Sequence, residues 1–218
     1  MPNPEVGFFY SRLYNLEELN VMGFSASAPT RFGALAVAYH QFGSSDYREQ
    51  QIFLSQGVQL REQFYAGYSV KGLALKIQEY GSAYTLALDV SMLAKVSEKI
   101  SFGFALKNIN QPGIGQSHEQ VPSSWTAGSS LKVFKTVGLS LDYEQNHQSD
   151  SFLKSGLEWS LVPFFILRGG MQTNPSQVCG GFGLKVKSVF LDYSYRSQES
   201  LPGSHLISTR FMFGKGNE

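Results

Sequence analysis

The stretch SVFLDYSYRSQESLPGSHLISTRFMFG, residues 188–214, sorts into two faces when every second residue is taken. In its first half Val189, Leu191, Tyr193 and Tyr195 alternate with Phe190, Asp192, Ser194 and Arg196. Beyond a Pro202-Gly203 loop, Ile207, Thr209, Phe211 and Phe213 alternate with Leu206, Ser208, Arg210 and Met212. A period of two belongs to β-strands, so the stretch reads as a hairpin with one apolar and one charged face. A soluble sheet would turn the apolar face to a core and the charges to water. A membrane barrel would turn the apolar face to lipid and the charges to its lumen.

The same pattern fills the chain. TVGLSLDYE (136–144) sets Val137, Leu139, Leu141 and Tyr143 against Gly138, Ser140, Asp142 and Glu144. AYTLALDVSM (83–92) sets Tyr84, Leu86, Leu88, Val90 and Met92 against Thr85, Ala87, Asp89 and Ser91. Fourteen strands are expected, at about 5–12, 18–28, 32–42, 48–60, 63–75, 83–94, 99–109, 124–133, 137–145, 152–161, 164–172, 178–186, 189–196 and 205–213. SRLYNLEELN (11–20) is the ambiguous piece, with the pattern of a short helix between the first two strands. Short connections (28–31, 60–62, 95–99, 133–136, 161–164, 186–188) alternate with longer polar ones (43–47, 75–82, 108–124, 145–150, 172–177, 197–204). In an antiparallel meander every short turn then lies at one end and every long loop at the other, the asymmetry of bacterial outer-membrane barrels. The expected fold is all-β: one domain over residues 1–218, an antiparallel up-and-down transmembrane β-barrel of about 14 strands.

Bulk composition agrees. Charged residues are 16% of the chain, against about a quarter in an ordinary globular domain, while 14% are aromatic and 22 residues are glycine. A net charge of +1 argues against a nucleic-acid partner. Cys179 is the single cysteine, so no intrachain disulfide forms. No run approaches the ~20 apolar residues of a transmembrane helix. MPNPEVGFFY (1–10) lacks a basic and then apolar leader, so the expectation is either that this numbering begins at the mature start or that the chain is not exported.

Nothing points to catalysis, a cofactor or a metal. His40, His118, His147 and His205 lie in different segments without metal-ligand spacing and read as solvated loop histidines. PGIG (112–115) and GGFG (180–183) precede no helix, so neither reads as a phosphate cradle. The second reads as a strand that lets an inward residue approach closely.

The polar face carries Lys71 and Lys107, and an expected lumen charge network of Asp89, Asp142, Glu144, Lys154, Glu158, Arg168, Lys185, Asp192, Arg196 and Arg210. Neighbouring strands tend to carry opposite signs, which can pair across the sheet. A soluble sandwich would need a second layer over so much apolar face, and the chain offers no helices for it.

The segments ALKNINQPG, VPSSWTAGSSLKV, GLSLDYEQ, LKSGLEWSLVPFFILRGGM, GGFGLKVKSVFLDYSY and SHLISTRFMFG resemble the PorV/PorQ-like outer-membrane proteins, distant relatives of the FadL fatty-acid transporters. The resemblance runs from about residue 17 to 214 and is strongest after Asp89. It implies a fourteen-stranded, non-enzymatic barrel in the bacterial outer membrane, in contact with membrane lipid. It further implies an accessory or scaffold role in a surface or type IX-like secretion assembly, with protein partners. On that basis Asn110, Pro112, Gly113, His118, Glu119 and Pro122 of the 108–124 loop are the expected partner contacts. The alternative is a FadL-like passive pore or transporter for hydrophobic compounds.

Overall fold

A computed structural model describes residues 3–115, 119–147, 151–198 and 201–214. The first half of the chain forms β1 (Glu5–Arg12), β2 (Asn20–Thr30), β3 (Gly33–Gly43), β4 (Tyr47–Arg61), β5 (Phe64–Ile77), β6 (Gly81–Lys95) and β7 (Ile100–Lys107). A small hairpin follows, β8 (Gly113–Ile114) with β9 (Glu119–Gln120). The second half forms β10 (Ser124–Lys132), β11 (Val137–Asn146), β12 (Ser151–Val162), β13 (Phe165–Gln172), β14 (Gln177–Val186), β15 (Val189–Gln198) and β16 (Ser204–Met212).

Apart from β8 and β9, these strands close into one antiparallel barrel of the expected fourteen. β7 pairs with β10 across the long loop, and β1 closes the circle against β16 with Phe8 opposite Thr209. Closure gives every barrel strand a paired neighbour on each side and leaves the sheet no free edge strand, which is what lets a sheet stand in hydrocarbon.

The side chains invert the usual order of a folded protein. Among the described residues the only buried apolar side chain is Ala87. Ile52 and Leu54, mid-strand on the outer face of β4, are 57% and 61% exposed. Water would penalise such a surface heavily, whereas lipid accepts it. Among the described strand residues, outward charges are confined to strand ends, at Arg12, Arg48, Arg61 and Lys76. Exposed aromatics mark both rims: Phe32, Phe64, Phe134 and Phe164 at the short turns, Tyr80, Tyr84 and Trp125 toward the long loops. Those are the positions of interfacial girdles. The hairpin of residues 188–214 has the expected facing, with Leu191, Tyr195, Ile207 and Phe211 exposed outside.

Strand boundaries fall within about two residues of expectation, and two of the differences have a visible cause. The 11–20 segment forms two short 3-10 turns, Leu13–Asn15 and Glu17–Leu19, so β2 begins at Asn20 rather than near 18. β7 ends at Lys107 instead of about 109, because Asn108 takes a positive φ of 53° and leaves the ladder.

Candidate functional site

Register puts every member of the expected charge network on the inner face. Glu158 stands opposite Arg168, Asp142 opposite Lys154, and Phe190 lies between Lys185 and Arg210. Arg168 is the hub: its Nε donates to Glu158 at 2.8 Å and its Nη1 donates to Asp192. Gly183, inside the GGFG stretch, faces the contact, and a Cβ there would crowd both Asp192 and Arg168. Lys154 passes over its direct neighbour Asp142 and bonds Glu144 at 2.7 Å. Arg210 reaches Glu5 at 3.9 Å and lies 4.5 Å from the Phe190 ring, which Lys185 approaches at 5.5 Å. Asp142, Lys185 and Arg196 have no ion-pair partner among the described residues. Pairs this wet contribute little to stability, at most about 1 kcal/mol each.

Asp89 belongs to a different, dry arrangement. Lys71 Nζ lies 2.7 Å from Asp89 Oδ1 and donates to Asn108 Oδ1 at 2.5 Å, while the Asn108 backbone N–H donates to Asp89 at 2.8 Å. Lys71 is 5% exposed.

The expected partner loop is tied to the barrel at one end and open at the other. Asn110 bonds the edge of β6, donating to Leu86 O and accepting from Leu88 N–H, both at 2.9 Å. Pro122 O accepts from Asn108 Nδ2, and Pro112 O accepts from Val121 N–H. Gly113 pairs with Gln120, and Glu119 is exposed. His118 lies outside the described residues.

Sequence reasoning missed an aromatic cluster on the opposite wall. Phe9 of β1 meets His40 of β3 edge-on at 5.3 Å, and His40 meets Phe53 of β4 at 5.0 Å. All three point inward: Phe9 and His40 share a register row with Gly23 and Gln51, and Phe53 stands opposite Ala38. Phe8-Phe9 puts an aromatic on each face, so alternation alone does not reveal which ring is inside. His40 and His205 are therefore strand residues, not loop residues; His205 sits on the outer face, bonded to Tyr193 at 2.9 Å. His147 lies in a turn as expected.

The inner wall is consequently two-sided. Charges gather on β11–β16, while β1–β4 present small residues such as Ala34, Ala36 and Ala38 beside the aromatic cluster. Between the two walls a cavity of about 530 Å³ opens along β5–β7, β10 and β11, with Tyr65, Leu93, Gly103, Gly128, Ser130 and Asp142 in its lining. That volume suits one small organic molecule.

No protein-family model matches the chain, and no curated protein matches it. Solved structures do. The toluene transporter TbuX of Ralstonia pickettii is similar with a TM-score of 0.79 at 10% identity, over 98% of this chain and 90% of that one. The CymD monoaromatic hydrocarbon channel is similar with a TM-score of 0.73 at 12% identity, over 99% and 90%. The outer membrane protein Omp33 of Acinetobacter baumannii is similar with a TM-score of 0.60 at 7% identity, over 97% and 98%. At such identities the likeness is one of fold: the chain has the architecture of outer-membrane β-barrels, in agreement with the expected bacterial outer-membrane location.

Proposed function

We propose that this barrel is a non-enzymatic, passive outer-membrane channel for small, largely apolar molecules. The observation that carries the proposal is the inner wall of β1–β4, where small side chains flank the Phe9–His40–Phe53 cluster and the inward charges, Glu5 and Glu49, lie toward the strand ends. A solute moving along it exchanges water for aromatic and methyl surface without stripping a charge of its partner. Likeness in fold to a toluene transporter and a monoaromatic hydrocarbon channel supports the same substrate class, as an analogy of architecture. The test is uptake of labelled toluene by Gram-negative cells displaying the protein. Faster uptake than in vector-only cells is expected, and equal rates would reject the channel.

A second role, the accessory function in a surface or type IX-like secretion assembly, draws on the PorV/PorQ resemblance and on the exposed Glu119-Gln120 strand at the long-loop end. Co-purification of a partner that disappears when residues 111–120 are deleted would favour it over the channel.

A further inference from the structure

Among the described barrel-strand residues six carboxylates other than Asp142 face the lumen, and each has a partner. Asp89 holds Lys71, Glu144 holds Lys154, Glu158 and Asp192 share Arg168, and Glu5 lies near Arg210. Glu49 accepts the Tyr47 hydroxyl at 2.5 Å. Asp142 differs: among the described residues it has neither an ion pair nor a hydrogen bond. The cation directly opposite, Lys154, is spent on Glu144. Asp142 also stands over Gly128, its cross-strand neighbour, where a Cβ would collide with Oδ1. Glycine at 128 is therefore what lets this carboxylate lean along the wall into the 530 Å³ cavity.

The remainder of the lining suits the body of a ligand. Tyr65 and Leu93 face each other across β5 and β6. Ser101 and Ser130 satisfy one another through a 2.7 Å hydroxyl bond, so they do not compete strongly for a ligand. The cavity thus combines apolar and small surface with one carboxylate that has no partner among the described residues.

We infer that this cavity is a binding site for a small organic cation, an apolar or aromatic body carrying a primary amine that Asp142 receives. The ammonium would donate charge-assisted hydrogen bonds to Asp142, and the body would lie against Leu93 and Tyr65. This deepens the channel proposal and rests on it, since it names a class of solute that would pause in the same lumen.

The experiment titrates the detergent-solubilised barrel calorimetrically with benzylamine and with benzyl alcohol, its neutral counterpart. Benzylamine is expected to bind more tightly, and Asp142→Asn to weaken it by about tenfold or more while leaving benzyl alcohol unchanged. Gly128→Val, which displaces the carboxylate, should reproduce the loss. Heat-modifiable migration on gels verifies that both variants remain closed barrels. Unaltered benzylamine affinity in folded Asp142→Asn, or equal losses for amine and alcohol, would overturn the inference. Toluene uptake by cells separates the two proposals. Uptake with no Asp142-dependent amine binding leaves the channel and removes the site; amine binding without toluene uptake does the reverse.

Discussion

Lys71 Nζ and Asp89 Oδ1 meet 2.7 Å apart on adjacent strands β5 and β6, with Lys71 almost wholly removed from solvent. The pair anchors the stretch of chain that completes the barrel wall. The β6–β7 ladder runs only as far as Val90 opposite Leu106, which leaves Gly81–Asp89 without a ladder partner on that side. Asn108, held by both members of the pair, turns the chain so that Ile109 N–H bonds Leu88 O and Asn110 covers Leu86 and Leu88. The Asn110 amide and the Ile109 N–H thereby take the place of a neighbouring strand at Leu86 and Leu88, satisfying backbone groups that the ladder leaves open there.

Removing one partner should cost much more than removing both. Lys71→Met leaves Asp89, partly buried and still accepting from the Asn108 N–H, without its counter-charge, for an expected loss of ~1–3 kcal/mol; Lys71→Met with Asp89→Leu should recover most of it. Denaturant unfolding in lipid vesicles, followed by tryptophan fluorescence, measures both. A double variant no more stable than the single one would show that Asn108, not the charge balance, dominates.

Facing is testable at two consecutive residues. Leu54 is 61% exposed on the outside of β4, and Ser55 points inward to Ser69, hydroxyl to hydroxyl at 2.7 Å. Leu54→Arg near the middle of a spanning strand should cost ~2–4 kcal/mol in vesicles. Ser55→Arg, with its charge in the lumen, should cost clearly less. Similar costs at both positions would argue that water bathes both faces.

Much of this architecture is visible in one dimension because a strand's facing is local. The alternation in TVGLSLDYE already places Asp142 and Glu144 inside. Which anion Lys154 selects is not local: it depends on strand stagger and side-chain reach, and the diagonal Glu144 wins over the opposite Asp142. The role of Asn108 and Asn110 was equally hidden, since it arises from the offset between the ends of β6 and β7. The aromatic cluster was hidden for another reason. Phe9 and His40 each follow an aromatic neighbour, Phe8 and Tyr39, so neither strand offers polarity contrast at those positions.

Arg168 makes the charged wall measurable. Its guanidinium joins Glu158 and Asp192 across β12, β13 and β15. Arg168→Ala removes one lumen cation and frees two anions, so the reversal potential in a KCl gradient should shift toward K⁺. Arg168→Lys keeps the charge and should shift it little. Because these groups are half exposed, unfolding stability should fall by no more than about 1 kcal/mol per lost pair. An unchanged reversal potential in Arg168→Ala would mean that ions do not pass this wall.

Phe53 tests the opposite wall. Its ring packs against His40 at 5.0 Å, with Lys71 Nζ 5.9 Å from its centroid, and it points into the lumen from β4. Aromatic contacts of this kind contribute roughly 0.5–1.5 kcal/mol beyond the area they bury. A channel that uses Phe53 to favour aromatic solutes should therefore lose about 2- to 10-fold of its preference for toluene over methylcyclohexane in Phe53→Ala. Phe53→Tyr should retain most of it. The comparison is between two uptake rates in the same cells, which cancels differences in expression. If Phe53→Ala lowers both rates equally, the ring serves to hold the wall together, and selection among solutes lies elsewhere in the lumen.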